Sequence, residues 1–239
     1  MIGARLALLP LAALLVSARA VAPPAAPAPQ CGASEARAGL TRVNALRARL
    51  ERLPAASRRV AATRARLLAM RDVDQVARDA IIAILQACPD ARRPRALEAL
   101  IAAARAQTAR NRAALRDILA RTGWPVISVY GREADQAGFL IAQHSDDDHA
   151  FQREVLARLE PLAARGDTAG ENFALLYDRV AEAGGRPQRF GSQGECRGKL
   201  WEPDAIEDPA QVDRRRAALG LEPMAAYASR AARALCGAP

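Results

Sequence analysis

Aromatic residues are scarce in this 239-residue chain: Phe, Trp and Tyr make up 4% of it, and the long segment from Cys31 to Arg121 has none. That scarcity removes the stacking platforms on which single-stranded nucleic acids are bound, so the many arginines of the segment are not read as a nucleic-acid site. Lysine is almost missing, Lys199 being the only one, and histidine is limited to His144 and His149. The four cysteines, Cys31, Cys88, Cys196 and Cys236, are widely spaced and form no C-x-x-C, which excludes the common zinc templates. There is no G-x-S-x-G elbow, no phosphate loop and no dinucleotide fingerprint. No metal and no cofactor is implied.

What is present begins with an export signal. Arg5 gives a short charged start, Leu6 to Val16 is an unbroken apolar run, and Ser17-Ala18-Arg19-Ala20 supplies the small-residue pattern of a cleavage site. The run is too short to span a bilayer, which takes about 20 residues, and no later segment is apolar enough. Residues 1–20 are therefore read as a signal peptide with cleavage after Ala20 or Ala22, and residues 21–30 as an extended Pro/Ala spacer. The expected compartment is the periplasm or the exterior, with a mature chain that is not transmembrane. Such a compartment permits disulfides. Pairing Cys31 with Cys88 and Cys196 with Cys236 keeps each bridge within its own half, and a bend near Met70 to Val73 is expected to let the first pair meet.

Charge divides the chain. Between Cys31 and Arg121 there are 19 Arg against 8 acidic residues; from Thr122 onward 13 Arg and Lys199 face 18 acidic residues. A basic arm beside an acidic region suggests contact with an anionic envelope component through the Arg-rich helices, or docking of one half on the other.

Hydrophobic spacing gives an all-α reading: a helical bundle with a small β-hairpin or ordered loop inserted near the C-terminal third. Leu40, Val43, Leu46, Leu50 and Leu53 recur every three or four residues before Pro54, and two further helical periods run from Val60 to Cys88 and from Leu97 to Leu119. Residues 31–122 thus form a basic helical region, and residues 123–239 a C-terminal helical domain with a Gly-rich loop. In the latter, Val126 to Tyr130 reads as a short β-prone run and Arg132 to His144 as a helix. Ser145 is the expected N-cap of the next helix, which Pro161 should kink or shorten. Thr168 to Ala183 is helical and stops at Gly184-Gly185. Gln188 to Asp204 lacks a helical period, and short helices follow from Asp208-Pro209 and Glu222-Pro223.

The runs G-W-P at Gly123, Q-H-x-x-x-D from Gln143 to Asp148, P-Q-R-F-G-S-Q from Pro187, P-D-A-I-E-D-P from Pro203 and V-D-R-R-R from Val212 carry a resemblance. Together, and in this order between about Met70 and Tyr227, they resemble a bacterial domain-of-unknown-function family. Its signature includes G-W-P, Q-H, P-Q-x-Y-G-T-Q, P-I-E-D-P and V-D-x-R-R. Phe190 stands where that family usually has Tyr, and Ser192 where it usually has Thr, so no phenol is available at position 190. The resemblance implies a domain and supplies no mechanism.

Among individual residues, His144 ends an apolar helix and lies four residues before Asp148, a spacing that suits a general base with an orienting carboxylate; the competing reading is a helix C-cap. His144 and Asp148 are thus the candidate catalytic pair. The dense run His144, Asp146, Asp147, Asp148 and His149 matches no metal template and reads first as compensation of a helix dipole. The amides Gln143, Gln152, Gln188 and Gln193 donate and accept, which suits ligand recognition or satisfaction of buried backbone. Asp178 and Arg179 complete the candidate binding set with Glu207, to which, or to Asp208, Arg179 is expected to bridge. His144, Gln188 and Gln193 are expected to form one surface. Two functions remain open: a binding or structural protein of the cell envelope, or a hydrolase using His144 with a nearby carboxylate.

Overall fold

The computed structural model describes residues 31–55, 57–88 and 94–237. The export signal and the Pro/Ala spacer lie outside them. Three long helices come first: α1 (Ala33–Glu51), α2 (Val60–Ala87) and α3 (Arg95–Thr122). They pack on one another because each turns an apolar stripe inward: Val43 and Leu50 from α1, Leu67, Met70 and Val73 from α2, and Leu100, Leu115 and Ile118 from α3 are all buried. Gly39 lets α1 come close. A Cβ there would sit 3.0 Å from Ala80 and 3.1 Å from Leu100.

α2 is continuous, so the bend expected near Met70 is not needed to join Cys31 to Cys88. The connector after α1 supplies the register instead. Arg66 donates to the carbonyls of Leu53 (3.3 Å) and Pro54 (3.2 Å), which sets the end of α1 beside the second turn of α2. From that level the two helices run equal chain lengths to their cysteines, whose Cα atoms are 6.1 Å apart.

The chain then turns at Trp124 into α4 (Ile127–Tyr130), α5 (Arg132–Gln143), α6 (His149–Ala164) and α7 (Gly170–Ala183). The β-prone run is thus a single helical turn. Asp167 makes it one by accepting from Ser128 N (3.0 Å) with its carboxylate and from Ile127 N (3.0 Å) with its carbonyl. α6 begins later than Ser145 would place it. Asp148 is the N-cap, accepting from Phe151 N at 3.0 Å, whereas the buried Ser145 hydroxyl donates back to Ile141 O at 2.8 Å. α6 runs on past Pro161 for one turn. α7 starts at Gly170 because Thr168 and Ala169 are held by Asp135, whose fully buried carboxylate also accepts from Trp124 Nε1 and Asn172 Nδ2.

A two-stranded antiparallel hairpin follows, β1 (Gly194–Arg197) and β2 (Leu200–Pro203), with Cys196 opposite Trp201. A 3-10 turn (Pro209–Gln211) leads into α8 (Val212–Ala218), and α9 (Met224–Leu235) closes the chain. Trp201, Ala231 and Ala232 form a small apolar cluster of their own, tied by the Cys196–Cys236 bond. The main core is shared, taking residues from α1, α2 and α3 together with Phe139, Phe151, Leu176 and Phe190. Among the described residues the fold is mostly helical, with one small hairpin, and no helix is long and apolar enough to cross a membrane.

Candidate functional site

α2 and α3 run antiparallel, and the hydrogen bonds from Asn111 Nδ2 to Met70 O (3.1 Å) and from Arg78 to Thr108 Oγ1 (3.4 Å) fix their register. Beyond the packed stripe, each presents a second row to one cleft. On α2 these are Arg78, Ile81 and Ile82; on α3 they are Ile101, Ala104, Arg105 and Thr108, at the i, i+3, i+4, i+7 spacing of one helical face. The end of α5 and the turn after it complete the wall with His144, Asp146 and Asp147, and α7 contributes Arg179. The cleft is open and measures about 850 Å³, within the several-hundred-Å³ range of ligand pockets.

His144 is held there by α2, not by its own neighbourhood. Its Nδ1 lies 2.6 Å from Asp74 Oδ2, and Asp74 is 5% exposed and also accepts from Arg78 Nε at 3.1 Å. Asp148, the expected partner, caps α6 and pairs with Arg116 (3.0 Å) and Arg112 (3.4 Å). A residue that spends its oxygens on a helix start and two guanidinium groups is not available to orient the ring. With Nδ1 engaged, Nε2 on the far side of the ring has no hydrogen-bond partner among the described residues.

The acidic turn is neutralised residue by residue. Asp146 receives Arg179 at 2.8 Å, Asp147 is paired with Arg112, and Asp148 is shared as above. The Arg112 hydrogen bond holds the Asp147 carboxyl below the usual carboxylate range. Arg179 therefore does not bridge to Glu207 or Asp208, because α7 presents it to the α5–α6 turn. Among the cleft's cations, Arg105 is the one with no carboxylate at ion-pair distance among the described residues.

The amides have a different fate. Gln152 is buried and donates to Gln143 O (2.9 Å) and Asp146 Oδ1 (3.2 Å), while His149 Nδ1 lies 3.1 Å from its carbonyl oxygen. Gln188 brackets its own loop: its Nε2 donates to Gln193 O (2.9 Å) and its Oε1 accepts from Gln193 N (2.6 Å). Asp178 is fully buried and receives three backbone N–H groups, from Arg189 (2.8 Å), Phe190 (3.1 Å) and Ser192 (2.9 Å). Burial pushes its carboxyl above the ordinary value, against those three donors. Arg216 ties Phe190 O (2.6 Å) to Glu222 O (2.7 Å), and Tyr227 donates to Ser192 O (3.0 Å). Gly191, at φ +67°, passes so near Met224 and Ile206 that a Cβ would lie 2.7 Å and 2.8 Å from them. Glu207 joins through its backbone, its N donating to Gln188 O (2.7 Å) and its carbonyl accepting from Arg215 (2.5 Å). The cavity beside this loop holds about 170 Å³ and is lined by Ser192, Arg216 and Tyr227 among others. Neither Gln188 nor Gln193 lines the His144 cleft, and no hydrogen bond joins His144 to the loop.

Of the residues that line or support this cleft, His144 and Arg179 are among those singled out in the sequence, whereas Asp74, Arg78, Arg105 and Thr108 are not. One signal was there to see. Asp74 falls on the inward stripe of α2, flanked by the buried Met70, Val73 and Ala77, and an acid on such a stripe needs a partner.

Residues 62–235 match a family described as a family of unknown function, DUF6624. The chain belongs to this family. No curated protein and no solved structure matches it. Every residue of the His144 cleft lies within the span matched by DUF6624, as does the Gln188–Gln193 loop, whereas α1 lies before it.

Proposed function

We propose that this DUF6624 chain is an exported protein of the cell envelope that binds an anionic ligand in the cleft at His144. Export is supported by the signal-like first twenty residues and by two disulfides, Cys31–Cys88 and Cys196–Cys236, which persist in oxidising compartments. The observation that carries the ligand reading is the arrangement around His144. Buried Asp74 takes one ring nitrogen, and the other is left for a ligand in a cleft that also offers Thr108 Oγ1 and the guanidinium of Arg105. Thr108 and Arg105 are donors suited to the oxygens of a phosphate or carboxylate, and Nε2 is free to share a proton with such an oxygen.

The test is a titration with inorganic phosphate followed by the NMR signals of the His144 ring. Binding shifts them in the wild-type protein and fails to do so in Arg105→Gln. Signals that stay still in the wild type across a millimolar titration exclude an anion site at His144.

A second reading rests on the 2.6 Å contact itself. A carboxylate that fixes a histidine tautomer is the orienting half of a general-base pair. Nε2 would take a proton from water as its oxygen attacks an acyl or phosphoryl centre, then return it to the leaving alkoxide, while Arg105 and Arg179 offset the developing charge. Turnover of p-nitrophenyl phosphate or acetate that vanishes in His144→Ala supports it. Equal rates in both proteins remove it.

A further inference from the structure

The cleft is not uniform along its length. Because α2 and α3 are antiparallel, Arg78 meets Thr108 at one level, and Ile81 and Ile82 share a wall with Ile101 and Ala104 toward the Cys88 end. His144 joins the first level through Asp74, which also binds Arg78, and Arg105, one residue after Ala104, lies between the two. One to two helical turns, about 5–10 Å at 1.5 Å per residue, thus separate a polar, arginine-rich end from an apolar end. The apolar end stands in water: Ile82 is 49% exposed and Leu85, on the same face of α2, is 38% exposed. Isolated exposed aliphatic residues are ordinary. Two on one face, continuing a concave wall that already holds two more isoleucines, are apolar surface without a protein partner among the described residues.

Resting on the reading of the cleft as an anion site, we infer that its ligand is a single-chain anionic lipid. The phosphate-type headgroup sits among Thr108, Arg105 and His144, and the alkyl chain lies along Ile81, Ile82 and Ile101. Charge complementarity supports the headgroup end. The cleft's three arginines face two lining carboxylates, and both carboxylates are already paired with guanidinium groups, leaving Arg105 uncompensated. The volume of about 850 Å³ accommodates a headgroup with part of one chain. Neither end alone explains the other, because a free phosphate has no use for the isoleucines and a neutral alkane has none for Arg105.

Calorimetry with inorganic phosphate, butyl phosphate and octyl phosphate, each below its micelle concentration, separates the two claims, with octyl glucoside as the uncharged control. Each methylene that leaves water is worth about fourfold in affinity. Octyl phosphate should therefore bind at least a hundredfold more tightly than phosphate, with butyl phosphate between and octyl glucoside at least tenfold weaker than octyl phosphate. Ile82→Gln, a polar but uncharged change at a half-exposed position, should remove most of the chain-length dependence and leave the phosphate affinity in place. Equal affinities for phosphate and octyl phosphate overturn the lipid inference while the anion site stands. No binding of any phosphate removes both. Octyl glucoside binding as tightly as octyl phosphate overturns the headgroup assignment, and Ile82→Gln with an unaltered chain-length dependence overturns the tail assignment.

Discussion

The Gln188–Gln193 loop and the His144 cleft are both rich in polar side chains, and the two spend them in opposite ways. In the loop, Asp178, Gln188, Arg216 and Tyr227 all point their hydrogen bonds at backbone, and the adjacent cavity is small. In the cleft, Asp74 and the arginines around Asp146 and Asp147 hold the frame, while His144 Nε2 and Arg105 are left over. Irregular backbone packed against a protein must have its N–H and C=O groups satisfied, and side-chain amides and carboxylates are what does this in the loop. A regular helical wall satisfies its own backbone, so its polar side chains are available to something else. Density of polar residues in a sequence therefore does not separate architecture from function. Whether those residues are already matched does.

The sharpest way to break this contrast is through Asp178. Asp178→Ala strips the acceptor from three N–H groups in a buried loop, at about 1–3 kcal/mol for a donor left unsatisfied. We expect a loss of about 3 kcal/mol or more in urea denaturation. A loss below about 1 kcal/mol would show that the loop does not depend on its carboxylate. Next in size is the hairpin staple: Cys196→Ser with Cys236→Ser should cost about 2–4 kcal/mol. Amide exchange should quicken first in β1, β2 and α9, where only a small apolar cluster remains.

In the cleft the expected stability effect is smaller. His144→Gln leaves Asp74 paired with Arg78 and should cost about 1.5 kcal/mol, one hydrogen bond to a charged group, yet abolish phosphate binding. A large drop in melting temperature with binding retained would reverse the assignment of roles. The smallest effect concerns pH. Burial and the neighbouring Asp204 carboxyl push Glu182 up to about 7, from 4.5. A carboxyl raised in the folded state gives stability that is complete below its unfolded value and lost as pH rises through the folded one. Glu182→Gln should therefore flatten the decline in stability between about pH 4.5 and 7, as read by melting temperature across that range. An unchanged profile would assign the decline to other groups.

Much of this was legible beforehand, for identifiable reasons. The three long helices followed from their three-and-four spacing, and the hairpin from glycines interrupting β-prone residues, since both signals are local. Both cysteine pairs followed from topology. Ser145 failed as a cap because Asp148 competes for the same start and wins with a carboxylate, while Ser145 turns its hydroxyl back to Ile141. Val126 to Tyr130 failed as a strand because its outcome depends on Asp167, some forty residues away. His144 was singled out in the sequence, but with Asp148 instead of Asp74 as its partner. Asp74 lies 70 residues earlier on another helix, and only the packing of α5 against α2 brings them together. Conversely, Gln188 and Gln193 looked like recognition amides because sequence shows donors and acceptors without showing what already occupies them.

The most direct test of this contrast is an amide and side-chain chemical-shift map of the protein titrated with octyl phosphate. Shifts are expected to concentrate at Arg78, Ile82, Arg105, Thr108 and His144, with Ser192, Arg216 and Tyr227 unmoved. Shifts centred on Ser192, Arg216 and Tyr227, with His144 silent, would contradict it.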